Sequence, residues 1–186
     1  MCVDNIVPEN IDFCPTDESV GGTSEVDIWW CEHKDFDVIA EPPALDVAVS
    51  YAEAATISDP HTFTAPNGFK KLAILPDTGQ VESPHQGEKG AKSVANAFMA
   101  TIPGVSPRNV GWLRRHKNVG MIFLVRERNG NLRQIGGKTN PAYIEEATPA
   151  SGLKAEDING IPVKISDVQA YAAPFYTGAI TEFTPA

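Results

Sequence analysis

The sequence predicts a mainly β fold, a β-dominated α+β chain. Its expected architecture is two packed antiparallel sheets, sandwich- or barrel-like, with one short flanking helix near residues 107–117. Three observations predict it. Glycine and proline each occur 15 times in 186 residues, more than a helical bundle tolerates and too few for a low-complexity chain. Short runs of alternating apolar and polar residues recur between turn signals. Asn129-Gly130 stands between two strand-like runs, the strongest short hairpin signal a sequence carries.

The elements follow in order. Residues 1–23 are rich in Asp, Glu, Pro, Ser and Gly and read as an extended arm ahead of a single domain over 24–186. From Ser24 to Cys31, Val26, Ile28 and Trp30 alternate with Glu25, Asp27 and Trp29, which predicts a strand. Asp35 to Ala40 is expected as its hairpin partner, and Pro42-Pro43 breaks the chain. Ala44 to Ile57 mixes an alternating Leu45, Val47, Val49 with a helix-friendly Ala52 to Ala55, and strand is favoured. Phe69 to Leu75 is a strand stopped by the turn chemistry of Pro76-Asp77-Thr78-Gly79. Val81 to Gly90 is a polar loop or an edge strand.

Ala91 to Ile102 suits helix or strand. The β reading puts Val94, Asn96, Phe98 and Ala100 on one face. Ser106-Pro107 is a helix start, Ser as N-cap and Pro at the first helical position. That helix runs to about Lys117 with Val110, Leu113 and Trp112 inward, and Arg114, Arg115, His116 and Lys117 at the end where cations suit the helix dipole. Val119 to Arg126 and Leu132 to Ile135 form the Asn-Gly hairpin. Tyr143 to Ala147, Gly152 to Glu156, Ile161 to Ala170 and Gly178 to Phe183 are further strand candidates.

The net charge of −9 is unevenly spread. Residues 1–66 hold 14 acids against one base, Lys34, whereas residues 67–186 hold 10 acids against 14 bases. An acidic chain repels DNA at long range, so general nucleic-acid binding is disfavoured. Pairing of the acidic part of one copy with the basic part of another is one use of such a split. A solvated acidic face is the other reading.

The three cysteines, Cys2, Cys14 and Cys31, do not look like a disulfide framework. With no basic, apolar start at Met1, a reducing cytoplasm is expected for folding. The run Val119 to Val125 is far short of the roughly 20 residues a spanning helix needs. Cys31 and His33 lack a second ligand pair, since His61, His85 and His116 stand alone, so no metal or cofactor is expected.

No catalytic constellation is visible. There is no Gly-x-Ser-x-Gly elbow. Gly136-Gly137-Lys138-Thr139 fails as a phosphate loop because Leu132 stands where its first glycine belongs. Glu145 and Glu146 are adjacent on a strand and point to opposite faces. Catalysis is therefore not expected.

The run from Gly120 to Gly137, in which a hydrophobic strand meets Arg128-Asn129-Gly130 and closes on Ile135-Gly136, resembles tail-tube-like structural proteins of tailed bacteriophages. So do Asn159-Gly-Ile-Pro-Val-Lys-Ile165, Ala173-Pro-Phe-Tyr-Thr-Gly178 and the Gly21-Gly22 lead into the first strand. The likeness extends over about residues 20–180, in order. It implies two packed sheets with a flanking helix, and six copies whose inner sheets join into a ring. It also implies rings that stack through loops and termini around a channel that DNA crosses without specific binding. The implied partners are further copies of the chain and other virion tail proteins, in a tail assembled in a bacterial cytoplasm. Residues 1–23 and the loop around 76–90 are the expected ring-to-ring contacts, and acids of the first third are expected to line the channel. Candidate subunit-contact residues are Trp29, Trp30, Arg114, Arg115, Lys117, Phe175 and Tyr176. Pro42-Pro43 and Trp29-Trp30 have no place in the pattern. They leave open a head–tail connector, a tail terminator, a capsid-decorating protein, or a carbohydrate-binding module stacking sugar on Trp29, Trp30 or Trp112.

Overall fold

The computed structural model describes residues 5–8, 11, 20–154 and 156–185. Among these, the strands are β1 (Thr23–Glu32), β2 (Thr56–Ile57), β3 (Lys70–Lys71), β4 (Gln80–Glu82), β5 (His85–Gln86), β6 (Ser93–Pro103), β7 (Met121–Glu127), β8 (Leu132–Ile135), β9 (Tyr143–Ala147), β10 (Gly160–Gln169) and β11 (Phe175–Tyr176). The helices are α1 (Tyr51–Ala54) and α2 (Pro107–His116), with a 3-10 turn at His33–Asp35. A six-stranded sheet runs β2-β11-β8-β7-β1-β3, and a five-stranded sheet is built on β4-β6-β10-β9 with β5 also on β6. The fold is mainly β, as the sequence predicts. One pair, β11 with β2, is parallel, so the larger sheet is mixed rather than wholly antiparallel.

Period-2 geometry sorts the core into two layers. Ile28 and Trp30 of β1, with Met121, Phe123 and Val125 of β7, pack with Phe98, Ile161 and Ile165 of the smaller sheet. The intervening Trp29, Cys31, Ile122 and Leu124 pack instead with Ile57, Phe69 and Tyr176, with Phe36, Ile39 and Phe63 against them. Met121 to Val125 are all fully buried. That is why β7 reads as an unbroken apolar run: both faces of its sheet are covered.

The smaller sheet is covered on one side only. β6 and β10 pair along their lengths, from Pro103 opposite Gly160 to Val94 opposite Gln169. Val94, Asn96, Phe98 and Ala100 are buried on the inner face, as expected. The outer face bears Ala95, Met99 and Thr101 on β6 and Lys164, Ser166 and Val168 on β10, partly or fully exposed, with the small Ala97 buried among them.

Several expectations are corrected. Residues 35–40 do not return along β1, because β7 and β3 occupy its two edges; Val38 bridges Thr62 instead. Residues 44–57 are a turn, then α1, then the two-residue β2, rather than one strand. Ser50 caps α1 by accepting from the Glu53 N–H at 3.2 Å, while Glu53 accepts from the Val49 N–H at 2.9 Å. Leu45, Val47 and Val49 alternate but pair in no sheet and stay exposed. The strand expected over 69–75 is confined to Lys70–Lys71. The described residues of 152–156 form no strand, since the Asp157 carboxylate accepts from the Leu153 and Lys154 N–H groups at 2.8 Å each and closes a turn. Of 178–183, only Glu182 bridges Phe69.

Helix α2 begins as predicted: Ser106 accepts from the Asn109 N–H at 3.2 Å and Pro107 opens the first turn. Val110 points outward rather than inward. The inward positions are Trp112, Leu113 and the buried His116. Of the expected arm, only residues 5–8, 11 and 20–23 are described; Cys2 and Cys14 lie outside the described residues.

Candidate interaction surfaces

The Trp29-Trp30 dipeptide is answered by Lys70-Lys71. Across β1 and β3, Trp29 stands opposite Lys71 and Trp30 opposite Lys70. The Lys70 ammonium lies 5.4 Å from the Trp30 ring centroid and 5.0 Å from that of Phe183. The Lys71 ammonium lies 5.6 Å from the Trp29 ring, as does the Arg126 guanidinium. Trp29 also donates Nε1–H to Glu182 at 3.0 Å. Each such cation–aromatic contact contributes about 0.5–1 kcal/mol where partly exposed. Trp29 and Trp30 are 5% and 8% exposed, so they belong to the core and leave no open ring face for a sugar. Tyr176 is likewise buried, stacked on His61 with centroids 4.9 Å apart. These three are therefore not surface contacts of the single chain. Their large apolar rings are used where the strand alternation turns them inward.

The basic end of α2 divides into two. Arg115 reaches Glu32 at 3.1 Å, where the carboxylate also meets Lys34 at 2.8 Å and His116 at 3.3 Å. Glu32 is nearly buried. Burial alone would raise its pKa, but the Lys34 hydrogen bond and charge, with Arg115 and His116, hold it below the ordinary carboxylate range. Arg114 and Lys117 are exposed and have no ion pair among the described residues. They flank a shallow groove of about 390 Å³ floored by Val110, Leu113, Ile144 and Ala147. Phe175 is half-buried beneath the Arg133 guanidinium, 4.6 Å from its ring.

Two buried polar clusters are satisfied internally. His61 accepts from the Ala40 N–H at Nδ1, 3.0 Å, so its hydrogen sits on Nε2, 2.9 Å from Gln134 Oε1. Burial lowers its pKa to about 4, against a smaller upward pull from Gln134. Asp167 accepts from the Gly136 N–H at 2.5 Å, Asn96 Nδ2 at 2.8 Å and Gln169 Nε2 at 3.3 Å. Asn96 in turn accepts from the Ala173 N–H at 2.8 Å. This cluster ties the loops after β8 and β10 to β6, which is structural work. Sequence reasoning missed both clusters, since only long-range pairing assembles them.

Among the described residues no side-chain hydroxyl or thiol is hydrogen-bonded to a histidine ring, and no group of three or more His, Cys, Asp or Glu is placed to hold a metal. No described helix is long and apolar enough to cross a membrane. The remaining features are the two edges of the five-stranded sheet, β9 on one side and β4 with β5 on the other. No protein-family model, curated protein or solved structure matches the chain.

Proposed function

We propose that this chain is a self-assembling virion structural subunit of the tail-tube type. In this reading copies join head to tail into rings, six to a ring, and the rings stack around a channel that conducts DNA. Its partners are further copies of itself and neighbouring tail proteins, in a virion tail assembled in a bacterial cytoplasm. The observation that carries the reading is the asymmetry of the two sheets. Among the described residues the larger sheet is covered on both faces, whereas the smaller one has a partly exposed outer face and two unpaired edges. Unpaired edges are hazards in a monomer and are satisfied by pairing with another chain. An edge contact of β9 on one copy with β4 and β5 on the next is heterologous, and such contacts close into rings.

The outer face then lines the channel. Around the Lys164 ammonium stand Glu145, at 3.0 Å, and the charges of Glu146 and Glu82; the two adjacent glutamates, expected on opposite faces, both act on it because the β9–β10 register shifts between Lys164 and Ile165. Carboxylates outnumber the cation there, so phosphate is repelled rather than held. Three acids of the first third lie elsewhere. Asp35, Asp37 and Glu41 lie on the segment that packs over the far face of the larger sheet, through Phe36, Ile39 and Ala40.

Sedimentation of the purified full chain over a wide concentration range tests the reading. Species at multiples of 20.0 kDa that grow with concentration are expected. A monomer at every concentration would sink it.

A further inference from the structure

A cleft of about 660 Å³ opens between β3, the end of β6 and α2. Trp112 and Phe183 give it aromatic walls above the buried Trp30, and Lys70, Lys71 and Arg108 give it cations. Its lining acid, Glu182, is already engaged by the Trp29 indole at 3.0 Å and Lys71 at 3.5 Å. Lys70 has Asp35 at 3.8 Å, and exposed Arg108 has no ion pair among the described residues. The Trp112 Nε1–H, in the wall, is buried without an acceptor, an unusual cost for an indole donor. Aromatic walls and the unpaired Arg108 cation together fit a segment that carries carboxylates beside apolar side chains.

The chain contains such a segment. Residues 4–18 carry Asp4, Glu9, Asp12, Asp17 and Glu18 with no base, interspersed with Ile6, Val7, Ile11 and Phe13. Of its described residues, Val7 and Ile11 are 68% and 92% exposed. The Val7 N–H donates to the Val49 oxygen at 3.2 Å, so the chain's own residues 5–8 lie along the 46–49 turn, and no residue of 5–8 lines the cleft.

We propose that this cleft receives the acidic N-terminal segment of a second copy. The inference rests on the self-assembly reading and names one contact it uses, distinct from the sheet edges. Charge complementarity sets the approach and apolar burial against Trp112 and Phe183 sets the hold.

A labelled synthetic peptide of residues 1–20, titrated by fluorescence anisotropy against the full chain below its assembly concentration, tests it. Saturable binding that weakens with added salt is expected. Arg108→Glu should weaken it about tenfold, and a peptide with its acids changed to amides should lose it. Arg108 makes no ion pair, so that variant keeps its thermal midpoint. No binding, or equal binding by Arg108→Glu or by the amide peptide, would overturn the proposal. Rings that form without peptide capture defeat this inference and leave the assembly reading standing. Peptide capture by a chain that never assembles defeats the assembly reading instead.

Discussion

His116 lies between two acceptors: the Trp112 main-chain oxygen is 2.8 Å from Nδ1, and Glu32 Oε1 is 3.3 Å from Nε2. The ring meets Trp30 edge-on at 4.8 Å between centroids. One buried carboxylate thus anchors the end of α2 to the end of β1, 84 positions away in sequence, and fixes the wall of the cleft. Removing its charge leaves clustered cations without an anion. Glu32→Gln is expected to cost about 3 kcal/mol in urea denaturation. Lys34→Ala, whose side chain is 65% exposed, is expected to cost under about 1 kcal/mol. Because the folded Glu32 pKa lies below its unfolded value, this contribution is present above the unfolded pKa and fades as pH falls through the folded one.

His61 gives a second pH dependence with the same sign at higher pH. Its folded pKa of about 4 lies below the ordinary value of 6.5, so the unfolded chain binds the extra proton between the two. Stability is full above 6.5 and falls on acidification toward 4, by roughly 3 kcal/mol in all. Proton NMR of the His61 ring should titrate near 4. A midpoint near 6.5 would contradict the buried, neutral assignment.

Asp167 faces only donors, from Gly136, Asn96 and Gln169. Asp167→Asn turns an amide N–H₂ toward at least one of them. A loss of about 2 kcal/mol is expected, read as a lower urea midpoint at unchanged slope.

The Cys31 thiol is fully buried, and desolvation pushes its pKa up to about 12. At mild alkaline pH its thiolate fraction is negligible. Iodoacetamide followed by peptide mapping should leave Cys31 unlabelled in the native chain and labelled in urea.

How much the sequence reveals depends on how local the cause is. The β7–β8 hairpin was legible because Asn129-Gly130 sets it within a few residues. Helix α2 was legible because Ser106 and Pro107 do the same. The α1 start was there to be read in Ser50 and Glu53, but the alternation of Leu45, Val47 and Val49 argued for a strand. That alternation has no buried counterpart, so it carries no sheet. The segment after β1 misled for a related reason. Phe36, Ile39 and Phe63 are apolar because they roof a sheet, not because they lie in one. Of the candidate surface, Arg114 and Lys117 are exposed and without ion pairs among the described residues, while Arg115 is drawn to Glu32 and Trp29 and Trp30 are drawn inward. Nothing near Trp30 in sequence announces Lys70 or His116. Those pairings arise only when strands forty and helices eighty residues away close on β1.

Negative-stain electron microscopy of the purified chain at low and high concentration tests the central claim most directly. The account predicts rings with an open centre that stack into tubes as concentration rises. Single compact particles of monomer size at every concentration would contradict it.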